Sequence, residues 1–193
     1  MTDKSYWDTR WQNGQTGWDL KTISPPIKQF VDNLTDKNLR ILIPGCGSAY
    51  EAEYLLQNGF DNVTVIDISP TLVQQLSNAF STYLKQQKLK VICIDFFELN
   101  GLFDVIIEQT FFCALHPDLR KAYVEYMPKL LDKNGLLTGL LFNREFEGGP
   151  PFGGNVMEYE TLFKPHFSSV KFMPCLNSAA PRLGSEVWFE AKK

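Results

Sequence analysis

Apolar residues in this chain gather in short dense runs separated by stretches with helical periodicity. Five runs, Arg40–Pro44, Asn62–Asp67, Leu89–Ile94, Phe103–Ile107 and Leu136–Phe142, are rich in Leu, Ile and Val. Near-continuous runs of this kind read as strands buried on both faces of a parallel sheet. Between them the apolar positions recur at helical spacing. Ile27, Phe30, Val31 and Leu34 follow Ser24-Pro25-Pro26, where serine at the cap and proline in the first turn mark a helix start. A helix over Ser48–Asn58 is closed by Gly59. Leu72, Val73, Leu76, Ala79, Phe80 and Tyr83 form the expected inner face of a helix opened by Ser69-Pro70, and Leu119–Leu131 and Met157–Phe163 are further helices. Ser169–Met173 and Glu186–Ala191 close the chain as an expected antiparallel pair joined by the loop Pro174–Gly184. Strand and helix alternating in this order predict an α/β fold, a doubly wound, mostly parallel sheet with right-handed crossovers and helices on both faces.

The organising stretch is Leu39–Tyr50, where an apolar strand runs into Pro44-Gly45-Cys46-Gly47 and then into a helix. Glycines there permit positive φ and close approach of a ligand to the backbone, and the helix start offers unpaired N–H groups. A full dinucleotide fingerprint would place a third glycine at position 50, which is tyrosine, so the tight approach to a pyrophosphate is not provided for. The next strand ends in Asp67-Ile68, and a carboxylate so placed accepts hydrogen bonds from a ribose diol. These features together describe a nucleoside ligand without a pyrophosphate, and S-adenosylmethionine meets that description. The plain alternative is a tight strand-to-helix connection with no ligand. Asp95 and Phe96, at the end of the third apolar run, are expected to flank an adenine, the carboxylate accepting from its amino group and the ring packing on its face.

Trp7, Trp11 and Trp18 are three of the four tryptophans and lie in an otherwise polar stretch, Ser5–Leu20. Trp7 and Trp11 share a helix face at i,i+4. Such an arm is either a lid over the ligand cleft or a cover for a sheet edge.

Length and charge narrow the possibilities. The 193 residues form one expected domain, and net charge −3 with no lysine or arginine stripe argues against nucleic acid. No apolar segment is long enough to span a membrane and the N-terminus has no apolar signal region, so a cytoplasmic protein is expected; a monomer is expected as well. Cys46, Cys93, Cys113 and Cys175 make no metal-ligand or CxxC pattern. No metal is expected. The first three, in or beside apolar runs, are expected to be buried thiols. Of the two histidines, His116 stands in a turn before proline and is expected to be structural, and His166 carries no signal.

The segments Trp7-Asp8-Thr9-Arg10-Trp11, Thr16-Gly17-Trp18-Asp19, Pro44-Gly45-Cys46-Gly47, Asp67-Ile68-Ser69, Phe111-Phe112-Cys113-Ala114-Leu115 and Gly148-Gly149-Pro150-Pro151-Phe152 together resemble the thiopurine S-methyltransferase family, and most its thiol and halide branch. The resemblance covers nearly the whole chain, in order. It implies a class I methyltransferase fold, a Rossmann-like seven-stranded sheet with an antiparallel last strand and an N-terminal arm over S-adenosylmethionine. It further implies that Trp7, Trp11 and Trp18 surround cofactor and cleft, that Pro44, Gly45, Cys46 and Gly47 meet the methionine moiety, and that Asp67 and Ile68 meet the ribose. Glu108 falls where relatives have an aspartate after the fourth strand, and the resemblance places it at the cofactor. Gln109 takes the place of an arginine in the thiopurine enzymes and of a tyrosine in the plant thiol enzymes. The acceptor-side candidates are Trp18, Asp19, Gln109 and Arg182, which position a small-molecule acceptor; no general base is expected, because a thiolate or halide already carries its nucleophilic pair. Arg182 is either a cation near the acceptor or an exposed salt-bridge residue. Methylation of oxygen or nitrogen, and nucleoside binding without turnover, are the competing readings.

Overall fold

The computed structural model describes residues 3–193. Its helices are α1 (Lys4–Gln12), α2 (Pro25–Asp32), α3 (Tyr50–Gln57), α4 (Pro70–Ala79), α5 (Ser81–Lys85), α6 (Arg120–Leu130) and α7 (Val156–Phe163). Its strands are β1 (Ile41–Pro44), β2 (Val63–Asp67), β3 (Leu89–Cys93), β4 (Phe103–Gln109), β5 (Leu131–Phe142), β6 (Ser169–Pro174) and β7 (Glu186–Lys192). The strands take the order β3-β2-β1-β4-β5-β7-β6 in a seven-stranded sheet. Neighbours β1 and β2, β2 and β3, and β4 and β5 are parallel, while β7 runs antiparallel to both β5 and β6. This is the expected doubly wound fold with a terminal hairpin.

The described residues form two compact units, 3–99 and 100–193. In the first, all four residues of β1 and the first four of β2 are buried, as their unbroken apolar runs require. Ser69 caps α4 by accepting from Leu72 N at 3.2 Å. Ser24 stands at the start of α2 without a side-chain cap bond, so the entry to that helix rests on the prolines that follow. Ala79, expected on the inner face of α4, is exposed; the inward face is confined to Leu72 and Leu76, with Phe80 buried just beyond the helix. Cys93 is exposed too, since it closes β3 at the edge of the sheet, where the strand lacks a neighbour on one side.

In the second unit Asp132–Gly135, read from sequence as a turn, belongs to β5 as an irregularity. The register with β4 moves from Phe103↔Leu131 to Val105↔Leu136 across it. Gly139 of β5 has φ +149°, and a Cβ there would run into the carbonyl of Glu108 on β4. Only glycine allows the two strands to meet at that point. Thr138, the one hydroxyl in this apolar run, is buried and donates to Phe189 O at 2.7 Å. Among the described residues no helix is long and apolar enough to cross a membrane.

Candidate active site

In the first unit the site is built at the carboxyl ends of β1 and β2. Gly45 and Gly47 have φ of +55° and +51°, and the alternation continues at Ala49, buried at +57°. An alanine held in the left-handed region is a locally strained residue, of the kind that gathers at binding turns. The turn is fastened from below by Cys46 N donating to Ile66 O at 3.1 Å. The Cys46 thiol is buried and pushed well above its ordinary range by that burial, with Asp67 and Glu51 adding to it. It is a packing residue rather than a nucleophile.

Asp67 lies at the mouth of this turn. It is half-buried, and the atoms packed round it raise its carboxyl to about 6, against the opposing pull of N–H donors from Ser69, Gly47 and Ile68. The Ser69 bond measures 2.9 Å. Since the Gly47 N–H is directed to Asp67, a ligand meets Gly47 across its bare Cα face. A side chain at Gly47 would reach Trp11, whose Cζ2 lies 3.9 Å from the Cβ position. Trp11 is thereby placed over the turn. Trp18 stands edge-on to both Trp7 and Trp11, with centroids 5.5 and 6.0 Å apart, and all three indoles are half-buried. A part-exposed carboxylate, a turn with no side chains in the way and aromatic faces beside it fit a ligand that combines ribose, an aromatic base and an amino-acid tail. When bound, S-adenosylmethionine would supply an activated methyl group, with Asp67, the Gly45–Gly47 turn and the indoles holding it.

Two carboxylates of the arm fasten it to this cradle. Asp19 Oδ2 accepts from Ser48 Oγ at 2.8 Å and Tyr50 Oη at 3.4 Å, at the start of α3, and from Lys21 Nζ at 3.0 Å. Burial works against its charge, yet the donors, led by Lys21 N, hold the carboxyl below the usual range. Asp19 thus holds the arm in place. Asp8, which the sequence did not single out, does the same at the start of α4: its Oδ1 accepts from Ser69 Oγ at 2.6 Å and Thr71 N at 2.9 Å. Of the two adenine-side candidates, only Phe96 is turned away. Asp95 is exposed and its Oδ1 accepts from Phe97 N at 2.9 Å. Phe96, only 4% exposed, is turned into the core by the short 3₁₀ turn that begins with it, so its face is not offered to a base.

In the second unit the carboxyl end of β4 carries Glu108 and Gln109. Glu108 is fully buried. Its Oε1 accepts from Phe111 N and Phe112 N at 2.8 and 2.9 Å, and its Oε2 from Tyr123 Oη at 2.7 Å. Burial lifts the carboxyl to about 7 in spite of these donors. Glu108, expected to meet cofactor, instead folds the Phe111–Leu115 loop. Gln109 ends the strand half-buried, in register with Leu140. That loop is joined to the Gly148–Phe152 segment by Phe152 N donating to Cys113 O at 2.7 Å. Arg120, another residue missed from sequence, is 5% exposed; it pairs with Glu158 at 2.5 Å, donates to Gly153 O at 2.6 Å and lies over the Phe112 ring. One signal pointed to it: Arg120 heads the stripe Tyr123, Val124, Met127, Leu130 on the inner face of α6.

Arg182 is 8% exposed and pairs with the buried Glu186 at 3.5 Å, its guanidinium over Phe142. The exposed salt bridge considered from sequence is ruled out by that burial; the pair sits where β5 ends and β7 begins. Cys113 is buried and its thiol is driven far up by that burial, with Glu108 adding to it. His116 caps a 3₁₀ turn and faces Asp118 at 3.2 Å.

The thiopurine S-methyltransferase pattern matches residues 2–179. The chain belongs to that family. Among relatives of this thiopurine S-methyltransferase family member, a probable thiol methyltransferase 2 of Arabidopsis thaliana is 35% identical over 93% of this chain and 81% of its own length. Thiocyanate methyltransferase 1 of Brassica oleracea is 30% identical over the same shares. The Acinetobacter baylyi thiopurine S-methyltransferase is 26% identical over 82% of each chain. The fold is that of the 1,6-didemethyltoxoflavin-N1-methyltransferase of Burkholderia thailandensis, solved with S-adenosylhomocysteine, at TM-score 0.72, 18% identity, 98% of this chain and 86% of that one. The magnesium protoporphyrin IX methyltransferase of Synechocystis, also solved with S-adenosylhomocysteine, superposes at TM-score 0.64, 16% identity, 86% of this chain and 82% of that one. This member of the family is an S-adenosylmethionine-dependent methyltransferase.

Proposed function

We propose that the methyl acceptor is a small soft nucleophile, a thiol, bisulfide, thiocyanate or halide, handled by one cytoplasmic, monomeric domain. The observation that carries this reading is the 35% identity to a thiol methyltransferase along 93% of the chain. The chemistry of the second unit supports it. Gln109 offers a neutral amide at the end of β4, and Arg182 and Glu186 are paired with each other, so a carboxylate-bearing aromatic thiol finds no dedicated guanidinium fork there. His116 faces Asp118 in an exposed turn, a poor place for a general base; soft anions need none. Orientation and water exclusion are then the main work of the protein, with Asp67 and the glycine turn of the first unit holding cofactor and Gln109 of the second serving as an acceptor-side residue. An acceptor screen with iodide, bisulfide, thiocyanate, thiophenol and 6-mercaptopurine, read by S-adenosylhomocysteine formation, tests it. Turnover of bisulfide or iodide above thiophenols is expected. Methylation of phenols or amines with none of the soft nucleophiles would refute it.

A further inference from the structure

Ser69 occupies an unusual position. It is 0% exposed, and two carboxylates converge on it from different directions. Its N–H donates to Asp67 Oδ1 at 2.9 Å and its hydroxyl to Asp8 Oδ1 at 2.6 Å. The Asp8 carboxylate is further held by Thr71 N at 2.9 Å and by Gln12 Nε2 at 2.7 Å, and Gln12 also reaches Thr71 Oγ1 at 3.3 Å. Asp8 therefore docks α1 on the first turn of α4, where a negative charge is favoured by the helix dipole. Hydrogen bonds from Ser69 and Thr71 hold its carboxyl below the usual range.

The docking has more reach than a surface tether. Asp8 is next to Trp7 and three residues before Trp11 on α1, so the same contact that seats Asp8 sets both indoles, including the Trp11 ring over Gly47. None of the residues of α1 is fully buried, so its seat rests on a few contacts: the Trp7 and Trp11 indoles on Trp18, Gln12 on Thr71, and the hydrogen bonds of Asp8. On its other side Ser69 fixes one oxygen of Asp67. A single buried serine thus joins the arm to the ribose-side carboxylate.

We propose that Asp8 is a positioning residue for the cofactor site: by docking on Ser69 and Thr71 it sets the Trp7 and Trp11 indoles and, through Ser69, the orientation of Asp67. This rests on the reading of Asp67 as the ribose-binding carboxylate. Loss of the Asp8 carboxylate should loosen α1 and weaken nucleoside binding without touching the sheet. The charged group facing Asp67 from α1 is Asp8, itself faced by Lys4; from the glycine turn the titratable group is the Cys46 thiol, neutral near pH 6, and the remaining contacts are the N–H groups of Ser69, Gly47 and Ile68. Asp8 opposes the ionisation of Asp67, so removing its charge should move the pH at which Asp67 titrates downward.

The test uses the full chain with Asp8→Ala, Asp8→Asn and Asp67→Ala, S-adenosylhomocysteine as the probe, and calorimetry as a function of pH beside hydrogen exchange of residues 4–12. Asp8→Ala should bind about tenfold more weakly at pH 7, exchange faster over α1 in the free protein and leave exchange of β1 and β2 unchanged. Asp8→Asn, which keeps an acceptor oxygen for Ser69 and Thr71, should recover most of the affinity and show the acid limb of binding shifted to lower pH. Wild-type affinity in Asp8→Ala, or a loss that asparagine does not restore, overturns the proposal. If Asp8→Ala does not fold, Asp8→Ser takes its place, and wild-type affinity with unchanged exchange over residues 4–12 in that variant overturns the proposal. Asp67→Ala separates the two readings. Unchanged binding there removes the ribose assignment itself, whereas lost binding there with none lost in Asp8→Ala refutes the coupling alone.

Discussion

Replacing Glu108 by glutamine should change how stability depends on pH more than it changes stability itself. The carboxyl is fully buried and stands at about 7 where an ordinary glutamate has 4.5. At about 1.4 kcal/mol for each pH unit between those values, the folded state gives up about 3 kcal/mol of this group's contribution as Glu108 ionises. A carboxyl raised on folding binds its proton more tightly in the native state than in the unfolded one. The contribution is accordingly complete below about pH 4.5, declines as pH rises to about 7 and is flat beyond. Glutamine cannot titrate, but its oxygen can accept from Phe111 N and Phe112 N as Oε1 does now, and its amide can donate to the Tyr123 hydroxyl. Urea unfolding at half-unit steps from pH 4.5 to 8 should show the wild type losing about 3 kcal/mol relative to Glu108→Gln across that window. Alanine gives a contrasting pattern: three buried donors lose their acceptor, and a penalty of about 3–5 kcal/mol is expected. Parallel pH curves for wild type and the glutamine variant would refute the reasoning, because they would mean that Glu108 titrates alike in both states.

Asp67→Ala should weaken S-adenosylhomocysteine by about 1.5–3 kcal/mol in calorimetry, by removing a charged acceptor of ribose hydrogen bonds; in the wild type, affinity should fall as pH drops through about 6, where Asp67 takes up its proton. Arg120→Met should cost about 1–3 kcal/mol in thermal or urea unfolding, because the carbonyl of Gly153 loses its charged donor while the part-exposed Glu158 loses only a screened pair, and limited proteolysis should then cut within residues 148–154. Gln109→Arg should raise kcat/KM for thiosalicylate relative to bisulfide by roughly 10- to 150-fold, the worth of one charge-assisted contact; an unmoved ratio would take Gln109 away from the acceptor.

The sheet was readable in the sequence because buried parallel strands must be nearly all apolar, as β1 and β2 are. The glycine turn was readable because its positive φ values restrict residue choice at Gly45 and Gly47. Side-chain destinations were less so. A carboxylate at the end of a strand looks the same in sequence whether it faces a ligand, as the half-buried Asp67 can, or its own loop, as Glu108 does with all its contacts inside the fold. Phe96 was misassigned for a related reason, since a 3₁₀ turn sends consecutive side chains about 120° apart and periodicity in so short a segment says nothing of which one goes inward. Asp8 escaped notice because its partners, Ser69 and Thr71, lie 61 and 63 residues away. Ala49 gave no hint of its left-handed backbone, a conformation that sequence associates with glycine or asparagine.

The bond from Phe152 N to Cys113 O, together with the grip of Arg120 on Gly153 and Phe112, makes the segments after β4 and β5 a single mechanical piece. Neither loop is an independent module. A graft that imports one of them from a relative with a different acceptor would carry a backbone shaped for a companion left behind. Exchanging residues 111–115 and 148–154 as a set, with Arg120 retained, is therefore the unit of transplantation.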